Sequence, residues 1–169
     1  IRSMMPHYEQ VWLERMRAKL GLYTEQQVDK QLIDDLLAAM DANEVDFTLL
    51  FRSLCHAVAD PLDSPQSAQL FSSPQDWQCW AERWAARLAL EPEYDNDRAQ
   101  RMRVVNPSVI PRNHRVQQAI DVATASGDFS DFQRLGRVLA TPFEDHPEDQ
   151  QWLGPPPADQ KVCQTFCGT

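Results

Sequence analysis

Several things are scarce in this 169-residue chain, beginning with glycine, of which there are five, none grouped into a phosphate-cradling loop. That absence leaves a nucleotide without its usual backbone cradle, and the missing Asp-Phe-Gly triplet and Gly-x-Ser-x-Gly elbow remove two further catalytic signatures. Four cysteines are too few for a disulfide framework, and no two of the four histidines have the spacing of a helical zinc site or a nearby Cys partner. No stretch approaches the roughly 18 apolar residues of a membrane span. The opening IRSMMPHYEQVW has neither an initiator Met nor a charged-then-apolar leader, so a soluble chain that begins inside a longer protein is expected. Basic residues are the minority, 16 against 25 acidic, for a net charge of −9. Nucleic-acid affinity comes mainly from Lys and Arg neutralising phosphates, so neither nucleic acid nor membrane is expected as a partner.

What remains is helical periodicity. Tyr8, Trp12, Met16 and Leu20 recur every four residues and Gly21 stands where a left-handed stop belongs, which predicts a helix from about Pro6 to Leu20. Thr24 and Gln27 read as a capping box for a second helix whose apolar face is Val28, Leu32, Ile33, Leu36, Leu37 and Met40. Asp46 reads as the cap of a third, carrying Phe47, Leu50, Phe51, Leu54 and Val58 until Pro61. After a Ser- and Pro-rich loop, Ser73 and Pro74 start a fourth with Trp77, Trp80, Trp84 and Leu88 on one face. Further helices are predicted over Asp95–Val105, stopped at Asn106-Pro107, and Arg112–Ala125, closed by Ser126-Gly127. A last one has a buried stripe of Phe129, Phe132, Leu135, Val138 and Leu139. No strand alternation and no repeat of about 30 to 45 residues is present. The expected fold is all-α, an irregular helical domain of about six to seven helices over residues 1–142, with an extended acidic, Pro-rich tail over 143–169.

Each candidate for chemistry has a plainer competitor. The segment from Asp41 resembles a calcium loop at Asp41 and Asn43, but Asp46 stands where the glycine belongs and Arg52 where a bidentate Glu belongs, so an interhelical turn is expected. The tryptophans could stack on a ligand, yet three-and-four spacing is what a core face requires. Cys55 and Cys79 fall within helical patterns and read as packing. Cys163 and Cys167, in the polar tail, are the redox candidates. Arg98, Arg101, Arg103, Arg112 and Arg115 crowd eighteen residues around the Asn-Pro stop, a surface for phosphates or for an acidic neighbour. Intrachain pairing with Glu91, Glu93, Asp95 and Asp97 is the favoured reading of that cluster.

The opening WLERMRAKLGL, the segment MDANEVDFTLLFRSL, the core NPSVIPRNHRVQQAI, the GDFSDFQRL turn and the PPP-to-Cys ending, in that order, resemble consecutive parts of the selenoprotein O family. The resemblance implies a kinase-like protein that binds ATP with magnesium or manganese and transfers AMP to Ser, Thr or Tyr hydroxyls of other proteins. This chain would then be its C-terminal helical portion. The catalytic and metal-binding residues would precede Ile1, in a missing N-terminal kinase-like lobe that is this chain's expected partner, and none is carried onto this sequence. The expected location is the cytoplasm of a bacterium. The family ends in a redox motif, Cys-Ser-Ser in many bacterial members, and Cys167-Gly168-Thr169 matches it by position but ends in Gly-Thr. Cys163 is one residue too far for Cys-x-x-Cys, so the resemblance points to Cys167 bridging to a cysteine of the preceding lobe. The competing reading is a free-standing helical interaction module whose Trp-rich helix grips a partner peptide.

Overall fold

The computed structural model describes residues 4–92 and 97–157. Among them every regular element is a helix, as the periodicity predicts, and the chain divides into two compact units, Ile1–Asn106 and Pro107–Thr169. The division falls at the Asn-Pro stop, inside the stretch read from sequence as one helical region.

The first unit contains α1 (Met4–Lys19), α2 (Asp29–Ala42), α3 (Phe47–Ala57), the short α4 (Pro65–Ala68), α5 (Pro74–Leu88) and α6 (Arg98–Arg103). Helix α1 stops at Gly21, whose φ of 72° is the left-handed value that glycine adopts without steric cost. The Leu22 amide then reaches the Arg17 carbonyl and the Gly21 amide that of Ala18, so the last turn leaves no orphan carbonyls. Helix α2 closes by the same pattern, Val45 to Met40 and Glu44 to Asp41, with Glu44 at φ 50° where glycine would be usual. Its start differs from the sequence reading. Val28 is the cap residue and no side chain caps the helix, because the Thr24 hydroxyl is spent on Glu91 far along the chain. Asp46 does cap α3, accepting from the Leu49 amide at 2.9 Å.

Helix α5 packs on α2, and α3 on α6. Trp77, Trp80 and Trp84 are all buried, with Phe71 extending the row at ring separations of 5.6, 5.7 and 5.3 Å. Two indole N–H groups find carbonyls across the core, Trp80 to Leu32 at 2.9 Å and Trp84 to Leu20 at 3.0 Å. A buried indole needs such a partner, so these contacts fix the depth at which α5 lies against its neighbours. Around them Leu20, Ile33, Leu36, Leu50, Leu54 and Met102 are sealed from solvent.

The second unit is an α-hairpin, α7 (Asn113–Ser126) and α8 (Ser130–Ala140), followed by a 3-10 turn Pro147–Asp149 and α9 (Gln150–Leu153). Gly127, at φ 72°, closes α7 with its amide on the Ala123 carbonyl. Asp128 then accepts from the Ser130 amide to start α8. Two expectations need correction here. Phe129 and Phe132 are exposed, and the buried stripe reduces to Leu135 and Val138, because the facing α7 buries only Ala119 and offers too little apolar surface to cover more. Residues 147–153 are helical where an extended tail was expected, and Trp152 there is buried.

Candidate functional site

Two buried polar groups organise the first unit. One lies where the loop after α1 meets the end of α5. The Arg87 guanidinium donates from Nε to Asp29 Oδ1 at 2.6 Å, from Nη1 to Glu91 Oε1 at 2.7 Å and from Nη2 to the Thr24 carbonyl at 2.7 Å. Glu91 also accepts from the Thr24 hydroxyl at 2.6 Å and from the amides of Tyr23 and Thr24. Burial by itself raises the pKa of the Glu91 carboxyl, but the Thr24 and Arg87 bonds and the two amides outweigh it and hold the group below its ordinary value. Burial likewise opposes the charge on Arg87, and the bonds from Asp29 and Glu91 overcome it to raise its pKa. Every strong donor and acceptor of this triad is occupied, which makes it a structural clamp.

The other group centres on Asn106. Its Nδ2 donates to the Lys19 carbonyl at 2.9 Å, its Oδ1 accepts from Lys19 Nζ at 3.2 Å, and Cys55 Sγ lies 3.5 Å from Nδ2. Burial pushes the Lys19 ammonium below its usual pKa. Arg52 donates to the carbonyls of Arg103 and Asn106, placing a cation at the C-terminal end of α6. The residue that breaks the calcium pattern is therefore a helix cap. Asn43, the other half of that pattern, joins α2 to the start of α5 by accepting from Ser72 and Ser73 and donating to Asp76.

The sequence candidates fare unevenly. The tryptophan face is consumed by the core of its own unit, so it cannot grip a peptide. Cys55 is buried, but Cys79 is exposed in a groove of about 330 Å³ lined by Asp35, Asp76 and Arg83, which corrects its reading as packing. The helix wheel holds that signal, since Cys79 is neither three nor four residues from Trp77, Trp80 or Trp84. Cys163 and Cys167 lie outside the described residues. In the Arg-rich segment, Arg101 stacks on the Tyr23 ring at 4.1 Å and Arg103 approaches His56. Glu91, expected to pair with that segment, is bound to Arg87 instead, while Glu93 and Asp95 lie outside the described residues. The clamp itself was not anticipated, because its members are scattered from Thr24 to Glu91.

Comparison with known proteins decides the family. The family model described as protein adenylyltransferase SelO matches residues 1–140, which span α1 to α8. The chain belongs to the SelO family. Relatives named protein nucleotidyltransferase YdiU include one from Rhizobium etli, 45% identical over all 169 residues and 34% of the relative's length. Another from Rhizobium meliloti is 43% identical over 96% of the chain and 33% of the relative. A third, from Bradyrhizobium diazoefficiens, is 46% identical over 91% of the chain and 31% of the relative. This SelO-family chain thus spans about a third of the length of the curated relatives it matches.

Magnesium with ATP would need carboxylates without other partners. Among the described residues no three His, Cys, Asp or Glu side chains converge to hold a metal, and the buried carboxylates Asp29 and Glu91 are taken by Arg87. No helix among the described residues is long and apolar enough to cross a membrane.

Proposed function

We propose that this chain is the helical C-terminal portion of a protein adenylyltransferase, which moves AMP from ATP onto Ser, Thr or Tyr hydroxyls of target proteins. The match of residues 1–140 to the SelO family carries this reading. The catalytic residues, ATP and magnesium or manganese belong to a preceding kinase-like lobe in the bacterial cytoplasm. Two features support a packing role for the present helices. The clamp around Arg87 and the Asn106 group make the first unit rigid, and Phe129 and Phe132 leave apolar surface uncovered in the second. Cys167, with Cys163 as a second candidate, is the regulatory thiol of the tail.

The test is AMP transfer from α-labelled ATP to protein. The product of the whole reading frame should label protein substrates, and residues 1–169 alone should label none. Transfer by the isolated chain would overturn the assignment of the chemistry to a preceding lobe. Replacing Cys167 by Ser in the whole product should abolish any response of labelling to oxidant; an unchanged response would remove Cys167 from the regulation.

A further inference from the structure

Between Arg52 and Arg83 the sequence places no lysine or arginine, while Asp60 and Asp63 stand in the turn that leads from α3 into α4. In the first unit this turn borders a cavity of about 200 Å³, whose wall includes Ser53, Ser64, Ser67 and Asp63, with Ala57 and Pro65 as its apolar part. At the roughly 30 Å³ that a water molecule takes in the liquid, the space holds about six non-hydrogen groups.

The hydroxyls of that wall have a fixed polarity. Each carries a single hydrogen, and the protein uses all three. Ser53 donates to the Leu50 carbonyl at 2.8 Å and Ser64 to the Asp60 carbonyl at 2.6 Å. The oxygens of Ser53 and Ser67 lie 2.8 Å apart, and since the Ser53 hydrogen is already placed on Leu50, Ser67 is the donor of that pair. Only acceptor capacity is left. Among the described residues no donor reaches the side-chain oxygen of Ser64 or of Ser67, which is 1% exposed. None reaches the Asp63 carboxylate either; the bonded group of Asp63 is its amide, which donates to Asp60 Oδ1 at 3.3 Å. His56, also on the wall, adds no positive charge. Arg103 Nη2 lies 3.4 Å from its Nδ1, and a guanidinium can only donate, so that nitrogen is an acceptor and the ring is neutral. An anion entering here would meet a carboxylate and oxygen lone pairs. An ammonium group, with three donors and no acceptor, is the complement.

We propose that the cavity between α3 and α4 binds a primary alkylammonium, either a lysine side chain of another protein or a free small amine. Its three N–H groups donate to Asp63, Ser64 and Ser67, and Ala57 and Pro65 cover its methylenes. Asp63 supplies the charge that selects a cation. This inference stands apart from the adenylyltransferase reading, since it rests only on the hydrogen-bond directions around one cavity of the first unit.

The test follows the assigned backbone amides of the ¹⁵N-labelled chain during titration with n-butylammonium chloride at constant ionic strength. The Ala57 and Ser67 signals should move saturably while the indole N–H signals of Trp77, Trp80 and Trp84 stay in place. Tetramethylammonium, a cation without N–H groups, should leave all of them unmoved. Asp63→Asn keeps the shape and removes the charge, and should bind n-butylammonium roughly tenfold or more weakly, the loss of one charge-assisted hydrogen bond. A titration with Nα-acetyl-lysinamide separates the two sources: tighter binding than n-butylammonium identifies a lysine side chain, equal or weaker binding a free amine, and either supports the site. No saturable movement with n-butylammonium would mean that the cavity holds water alone and overturns the proposal, as does an equal response to tetramethylammonium or undiminished affinity in Asp63→Asn. The comparison of the two cations uses the parent chain, so it decides the matter even if the variant fails to fold.

Discussion

Arg87 and Asp29, 58 positions apart in the sequence, meet at 2.6 Å with both side chains almost wholly shielded from water. Glu91 completes the arrangement one helical turn after Arg87, so a single guanidinium bonds two buried carboxylates and ties α5 to the start of α2, while Arg17 lies 3.9 Å from Asp29.

Removing the cation should therefore be costly. Arg87→Met takes the nearest cation from two buried carboxylates, leaving Asp29 only the longer contact to Arg17, and is expected to lower the unfolding free energy by about 3–5 kcal/mol, read from urea denaturation. A loss below about 1 kcal/mol, the value of an exposed pair, would show that water reaches the site.

Acid should weaken the same clamp. The folded pKa of Glu91 lies below the ordinary 4.5, because its hydrogen bonds overcome the effect of burial. The unfolded chain then takes up its proton first as pH falls. The contribution of Glu91 is fully present above 4.5 and is lost as pH drops through the folded value. Glu91→Gln should be less stable than the parent at neutral pH, with the gap narrowing below pH 4.5 in urea melts at successive pH values. A gap that stays constant into the acid range would exclude this linkage.

Two glycines share a φ of 72° but not their surroundings. A Cβ on Gly127 meets open space, so Gly127→Ala should cost only the left-handed backbone penalty of about 1–2 kcal/mol. At Gly21 the added carbon would lie 2.8 Å from Met102 Sδ and 3.1 Å from the Arg98 side chain. Gly21→Ala should destabilise more than Gly127→Ala in paired denaturation curves. Equal losses would mean that Met102, though fully buried, moves aside freely.

Thiol labelling separates the two helical cysteines. In a chain with Cys163 and Cys167 replaced by Ser, an alkylating reagent should modify Cys79 in the native protein and Cys55 only after unfolding, as mass spectrometry of the digested protein would report. Native labelling of Cys55 would show that the Asn106 group opens readily.

The helix boundaries were readable where the signal is local. Gly21 and Gly127 closed the helices predicted to precede them, Asp46 capped the helix after it, and the spacing of Trp77, Trp80 and Trp84 placed all three in the core. Thr24 shows where local reading stops. Its sequence context is that of a helix cap, but Glu91, 67 positions away, offers its hydroxyl a buried charge-assisted bond. Phe129 and Phe132 show the same limit for apolar residues, since a stripe predicts what wants burial and not whether a neighbour exists to cover it.

The sequence by itself determined the all-α class, most of the turns and the tryptophan face, because helix hydrogen bonds, caps and side-chain periodicity act within about four residues. Only the tertiary structure decided that Arg87 is shared by Asp29 and Glu91, that Arg52 caps α6, and that Trp152 is buried beside Arg115. Such partnerships depend on where the chain path returns in space. Desolvation then makes each one binding, because a charge removed from water is held by whichever partner the fold has brought within reach.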